Sequence, residues 1–317
     1  MQRSTQILTP DSAGVDVAAD ILRRGGLVAF GTETVYGLGA DARQGDAVAA
    51  IYAAKGRPSF NPLIVHIASL EAAQELARLP DSAQQLAETF WPGPLTLVAT
   101  LREGHGLSSL VTAGLQTVGL RVPANPAARA LLTAFGGPVA APSANPSGRI
   151  SPTTAAHVRA GLDGQIDAIL DGGPCTVGVE STIVGFDDET PVLLRAGGIT
   201  AEAIEDVLQR PLANDGGGSI TAPGQLASHY APRGRVRLNA RAPEPGEVML
   251  GFGDVAGDMT LSATGDLCEA AARLFDALHQ LDASGHAIAV APIPQHGLGI
   301  AINDRLTRAA APRPAQD

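Results

Sequence analysis

From the N-terminus to about residue 205, short runs of β-branched and leucine-rich residues alternate with alanine-rich stretches of helical period. The apolar runs are GLVAFGT, PLIVHIA, LTLVATL, VGLRVPA, PVAAPSA, DAILDGG, STIVGF and PVLLRAG, each bounded by glycine or proline as strands commonly are. The helical stretches carry their own start signals. GDAVAAIYAAKG has Asp46 in its first turn, SLEAAQELARL has Ser69 as cap, and NPAARALLTAF has Asn125 as cap with Pro126 at the first helical position. DSAQQLAETFW and SPTTAAHVRAGL complete the set. Strands and helices interleaved in this way call for an α/β domain in layers. The connections vary in length, which favours a mixed sheet over a purely parallel one.

The pattern breaks between about 206 and 235, where RPLANDGGGSITAPGQLASHYAPRGR holds a glycine cluster and three prolines but no period, and reads as a linker. Residues 236–317 then run strand, strand, helix, strand, helix, which fits a small α/β lobe. Its Asn303, Asp304 and Arg305 read as a polar helix face. Hydrophobic residues at 45% supply a core for both units, while aromatics at 3% leave little surface for stacking single-stranded nucleic acid. The net charge of −10 shows no broad basic face for nucleic acid, yet leaves room for a few cations in a cleft. Two distant cysteines, Cys175 and Cys268, exclude a disulfide framework and a cysteine-rich zinc site. No window reaches about 18 consecutive apolar residues, so a soluble, cytoplasmic protein is expected, without a membrane partner.

Lys55 is the only lysine beside twenty-one arginines. It stands where a helix ends near Gly56 and Pro58, so Lys55, Arg57 and Asn61 fall on a loop entering the strand PLIVHI. Two cations and an amide held there suit a polyanion such as a triphosphate; two cations completing a helix C-terminus is the alternative. His66 in that strand is either a ligand-facing group or a packed histidine. FGTETVYGLGADA offers Thr32, Thr34 and close-approach glycines, but contains no phosphate-binding glycine signature of the known kinds. APSANPSGRISPT places Ser143, Asn145, Ser147, Ser151 and Thr153 before a helix, either as an anion cradle or as caps. Ser181 and Thr182 stand at the mouth of a strand. Arg121, which shares its strand with Thr117, and Arg195 lie within apolar strands, where each must find an anion or reach solvent.

Taken together and in order, GTETVYGLGADA, KGRPSFNPLIVHI, WPGPLTLV, VGLRVP, APSANPSGRISPT, GVESTIV and LLRAGGI resemble the L-threonylcarbamoyladenylate (threonylcarbamoyl-AMP) synthase family, with its YrdC-like domain, over about residues 15–200. APGQLASHYAP and the C-terminal lobe resemble its longer, two-domain branch. The resemblance implies a YrdC-like twisted mixed sheet with helices on its faces over 1–205, a linker over the active site at 206–235, and a smaller Rossmann-like α/β lobe at 236–317. It implies condensation of L-threonine, bicarbonate and ATP to threonylcarbamoyl-AMP and pyrophosphate, with Mg2+ on the ATP. It assigns Thr34, His66, Arg121, Ala141 and Ser181 to threonine. Arg57, Asn61, Thr117, Ser143, Ser151, Arg195 and Tyr230 go to ATP, and Lys55 with Arg57 to catalysis. The product would pass to transferase partner proteins that modify tRNA, and direct tRNA binding is not expected. Two other classes are compatible with such a fold: an RNA-binding module, and a carbamoyltransferase, whose chains carry zinc pairs for which two cysteines leave no room.

Overall fold

The computed structural model describes residues 4–58, 61–214 and 228–312. Among them, twelve strands form one mixed sheet and four form a second. Along the large sheet the strands run Gln6–Leu8, Ala168–Leu170, Val28–Gly31, Tyr36–Asp41, Val139–Ala140, Ile64–His66, Thr117–Arg121, Leu95–Leu101, Thr182–Asp187, Thr190–Arg195 and Ala213–Asn214. Ala77–Arg78 pairs with Leu95–Leu101 off this path. Parallel pairs (Ile64–His66 with Thr117–Arg121, Thr182–Asp187 with Leu95–Leu101) alternate with antiparallel ones (Leu95–Leu101 with Thr117–Arg121), so the sheet is mixed.

All eight stretches expected to be strands contain strands. Tyr36–Asp41, which lies in the glycine-bearing stretch FGTETVYGLGADA and is not among the expected strands, is a fully buried strand paired antiparallel with Val28–Gly31. Its glycines serve packing: a Cβ on Gly39 would lie 2.8 Å from the Phe30 ring and 3.0 Å from Val139. Glycine normally weakens a strand, except where another group approaches this closely.

Local chemistry fixes the helix ends as expected. Asn125 accepts from the amides of Ala127 and Ala128, Ser69 accepts from that of Ala72, and Gly56 closes the helix Gly45–Lys55 in the left-handed region at φ 59°. The helix after APSANPSGRISPT starts at Ala155, and its cap is Thr154 rather than Ser151 or Thr153. That releases Ser151 for another partner.

The small lobe is a parallel sheet in the order Val236–Arg237, Ala287–Val290, Glu247–Gly251, Met259–Thr260. Helices Leu267–Ala283 and Leu298–Ala310 pack with it. Its core does not end at the lobe: Val35, Ile150, Val179 and Tyr230 belong to the same buried cluster as Leu274, Phe275 and Ile302. The two sheets are therefore joined by shared apolar burial, which favours a fixed interface over a loose tether. Among the described residues, no helix is long and apolar enough to cross a membrane.

Candidate active site

Strand ends and the loops that follow them converge on one cavity of about 50 Å3. Every residue assigned to threonine lines it: Thr34, His66, Arg121, Ala141 and Ser181. Of the residues assigned to ATP, Arg57, Ser143, Arg195 and Tyr230 line it, whereas Asn61, Thr117 and Ser151 do not.

The sheet register sets His66 beside Arg121, because their strands run parallel. Arg121 is 4% exposed. Its Nη1 donates to Thr34 Oγ1 at 2.8 Å, Nη2 to Glu33 Oε1 at 2.7 Å, and Nε to the Gly93 carbonyl at 3.3 Å. A guanidinium has five N–H donors. These three bonds leave one on each terminal nitrogen, the arrangement that a carboxylate can take two-pronged. Burial pushes the Glu33 carboxyl up, but Arg121 and the Ala124 amide outweigh this and hold it below its ordinary value. Glu33 thus stays ionised and fixes the arginine. Nothing in the sequence reading singled it out, although it stands between Thr32 and Thr34 in a stretch that is otherwise apolar or hydroxylic.

Ser181 sits where the strand Thr182–Asp187 begins, its hydroxyl 2.8 Å from that of Thr96. Arg195, at the end of the neighbouring antiparallel strand, donates through Nη2 to the Ser181 carbonyl at 2.8 Å and to its hydroxyl at 3.2 Å. Gly197 makes this junction possible. A Cβ there would lie 2.4 Å from the Glu180 carbonyl oxygen and from the Thr182 amide nitrogen. Gly197→Ala is accordingly expected to part these segments and destabilise the fold by about 1–3 kcal/mol. Thermal unfolding together with substrate KM checks this; an unchanged Tm and KM would contradict it.

Arg57 lines the cavity with Nε and Nη2 turned to the carbonyls of Asn61 and Pro62, at 3.4 and 3.1 Å. Burial brings its pKa down to about 10. Lys55 is not among the lining residues. Its Nζ donates instead to the carbonyls of Ser143, at 2.6 Å, and Asn145, and its own carbonyl accepts from the Ser147 amide at 2.8 Å. Residue 55 thereby ties down the loop 143–147. Burial, with Arg57 beside it, drives the Lys55 pKa well below the ordinary lysine value. Asn61 is fully buried, and neither atom of its side-chain amide has a partner among the described residues; the same holds for His66 Nδ1. Such orphans call for a ligand or water. Thr117 is half-buried at the far end of the strand from Arg121, paired with Thr100.

Ser151 donates to Glu180 Oε1 at 2.6 Å, and Glu180 lines the cavity. The other oxygen of that carboxylate accepts from Arg305 Nε at 2.8 Å. Arg305 is fully buried, so the reading of 303–305 as a polar helix face is wrong at that residue. It shares the inward side of its helix with buried Ala301, Ile302, Leu306 and Ala309. The linker residues His229 and Tyr230 line the cavity. Their segment is held by bonds from the His229 amide to the Arg308 carbonyl (3.2 Å) and from the Ala231 amide to the Gly148 carbonyl (2.8 Å). Tyr230 has φ 61°, a conformation that a bulky residue rarely adopts and that commonly marks functional sites. Linker residues 215–227 lie outside the described residues.

Burial depresses four histidines from about 6.5: His66 and His229 to about 3, His279 to about 4, and His157 by a smaller amount. The unfolded chain therefore binds more protons than the folded one between these values. The stability that comes from burying them neutral is complete above pH 6.5 and is lost as pH falls toward 4. We expect a loss of about 1 kcal/mol for each of His66, His229 and His279 between pH 7 and 5.5. Urea midpoints measured across this window test it, and a flat profile would contradict it.

The chain matches the family model described as "Telomere recombination" over residues 20–197, and that described as "Threonylcarbamoyl-AMP synthase, C-terminal domain" over 199–311. It is 42% identical to the threonylcarbamoyl-AMP synthase of Bacillus subtilis, covering 98% of this chain and 96% of that one. It is also 42% identical to the Pyrococcus abyssi enzyme, covering 94% of each. The crystal structure of Pyrococcus abyssi Sua5 complexed with L-threonine superposes with a TM-score of 0.89 at 39% identity, over 96% of this chain and 98% of that one. Both lobes are covered, and the chain belongs to the threonylcarbamoyl-AMP synthase family in its long, two-domain form.

Proposed function

We propose that the chain condenses L-threonine, bicarbonate and ATP into threonylcarbamoyl-AMP and pyrophosphate. The observation that carries this reading is the convergence of Arg121, Arg57 and Arg195 on a single cavity that also presents Thr34, Ser143 and Ser181. Arg121 orients the threonine carboxylate with its two remaining donors. The threonine amine takes up bicarbonate-derived carbon dioxide as a carbamate. A carbamate oxygen then attacks the α-phosphorus of ATP, and the bond to the pyrophosphate oxygen breaks. The attacking atom belongs to the substrate, so no side-chain nucleophile is needed. Arg57 and Arg195 offset charge on the phosphates, and catalysis is positioning plus electrostatics. The buried, unpartnered amide of Asn61 supports a place for it beside the nucleotide.

Magnesium enters as part of the substrate, MgATP. The carboxylates of Glu33 and Glu180 are engaged by Arg121 and Arg305, and no cluster of three His, Cys, Asp or Glu that could hold a metal exists among the described residues. Mg2+ commonly travels on phosphate and water oxygens. The segment bearing His229 and Tyr230 lines the cavity, a position from which it would cover bound ATP. Once closed, it keeps water from the labile mixed anhydride. The product then passes to a transferase that modifies tRNA.

Pyrophosphate release followed with ATP, bicarbonate and either threonine or serine tests the reading. It is expected only with all three substrates. Serine should be poorer by about 10–200-fold, the value of one methyl group in a fitted pocket. Release that ignores the amino acid would refute it.

A further inference from the structure

Arg305 belongs to the C-terminal helix Leu298–Ala310, outside the sheet whose strands build the cavity, yet it has no exposed surface. Its Nε reaches Glu180 Oε2 at 2.8 Å, Nη2 the Ala196 carbonyl at 2.9 Å, and Nη1 Asp304 at 2.6 Å. Its guanidinium carbon lies 5.4 Å from the centre of the Tyr230 ring. Glu180 and Tyr230 both line the cavity, and Glu180 is the one carboxylate among the described residues that do so. Uncompensated in a poorly hydrated wall, such a carboxylate would repel a triphosphate and cancel one of the arginines that attract it.

We propose that Arg305 is a positioning residue for the nucleotide. It neutralises Glu180 and draws its carboxylate toward the C-terminal lobe, so that Arg57 and Arg195 present their charge to the phosphates. The small lobe is thereby part of the ATP site, although none of its side chains among the described residues lines the cavity. Ser151 belongs to the same device, since its hydroxyl occupies the other Glu180 oxygen. This inference rests on the reading of the cavity as a site for threonine and ATP.

A bolt that merely joined the lobes would make every disruption of the pair act alike, whereas charge compensation gives effects of opposite sign. The test is ATP affinity of the full chain by calorimetry, with threonine KM as the second readout. Arg305→Met is expected to weaken ATP binding at least about tenfold, as loss of a partner beside a buried charge does. Threonine KM should change little. Glu180→Gln alone should tighten ATP binding, because the Arg305 charge behind the cavity wall is then unopposed, and the double variant Glu180→Gln/Arg305→Met should return near wild type. Equal weakening in all three variants overturns the proposal. Should Arg305→Met fail to fold, Arg305→Lys and the double variant decide: near-wild-type ATP affinity in both supports the proposal, and a tenfold loss in either overturns it. If the wild type binds ATP yet releases no pyrophosphate with threonine and bicarbonate, the functional reading fails while the affinity series still judges Arg305.

Discussion

Arg121→Met should remove threonine-dependent pyrophosphate release while leaving ATP binding largely intact. The arginine supplies the paired donors for a carboxylate in a buried setting, and losing a charged hydrogen-bonding partner there costs about 2–5 kcal/mol. That corresponds to a fall in kcat/KM for threonine of about 30-fold to several thousandfold. The same change strands Glu33, which is 7% exposed and has Arg121 as its cationic partner. Breaking a buried pair from one side destabilises by about 3–5 kcal/mol, so the single variant should also melt earlier. These two effects separate in the double variant Glu33→Gln/Arg121→Met, where stability should recover and activity should not. If the single variant kept a normal threonine KM, Arg121 would not be the carboxylate clamp.

Lys55→Met should lower activity steeply with little net change in stability, because relief of the buried charge offsets the two carbonyls left without a donor. A buried ammonium held, among the described residues, by two carbonyl oxygens, with an arginine for a neighbour, is disfavoured as a cation, and the depressed pKa expresses that cost. The wild type should therefore gain stability as pH rises from the lowered pKa of Lys55 toward its ordinary value near 10.5, and the Met variant should lack that gain. Removing the ammonium frees the loop 143–147, whose Ser143 faces the cavity. A drop in kcat of about 100-fold is expected, as a shift of about 1 Å in a positioning group can cause. Lys55→Arg should not rescue it, because a planar fork does not fit a cage shaped for a compact three-donor head. A Met variant with near-normal turnover would show that Lys55 is a packing residue.

What the sequence made legible was whatever depends on local pattern. The apolar runs around Val65, Leu97 and Val184 announced strands, and Asn125–Pro126 announced a helix start. The cations and hydroxyls at strand ends were recognisable because each is expensive to leave in an apolar run. Tyr36–Asp41 was not legible: Gly37 and Gly39 signal a loop until Ala141 and Phe30 are seen pressing against them. Glu33 and Glu180 were missed because a carboxylate beside hydroxyl residues is ordinary, and their partners lie 88 and 125 residues away. Arg305 did leave a trace. It falls three residues after Ile302 and four before Ala309, on the apolar stripe of its helix, where a charge has to be paired. Reading 303–305 as one polar face ignored that periodicity.

The most direct test of a shared cavity uses Mn2+ in place of Mg2+ on ATP, with threonine labelled with 13C at its carboxyl carbon. Strong paramagnetic relaxation of that carbon in the ternary complex, lost with Arg121→Met, is the predicted result. Relaxation no greater than in the absence of protein, with both ligands bound, would place threonine and the phosphates in separate sites and contradict it.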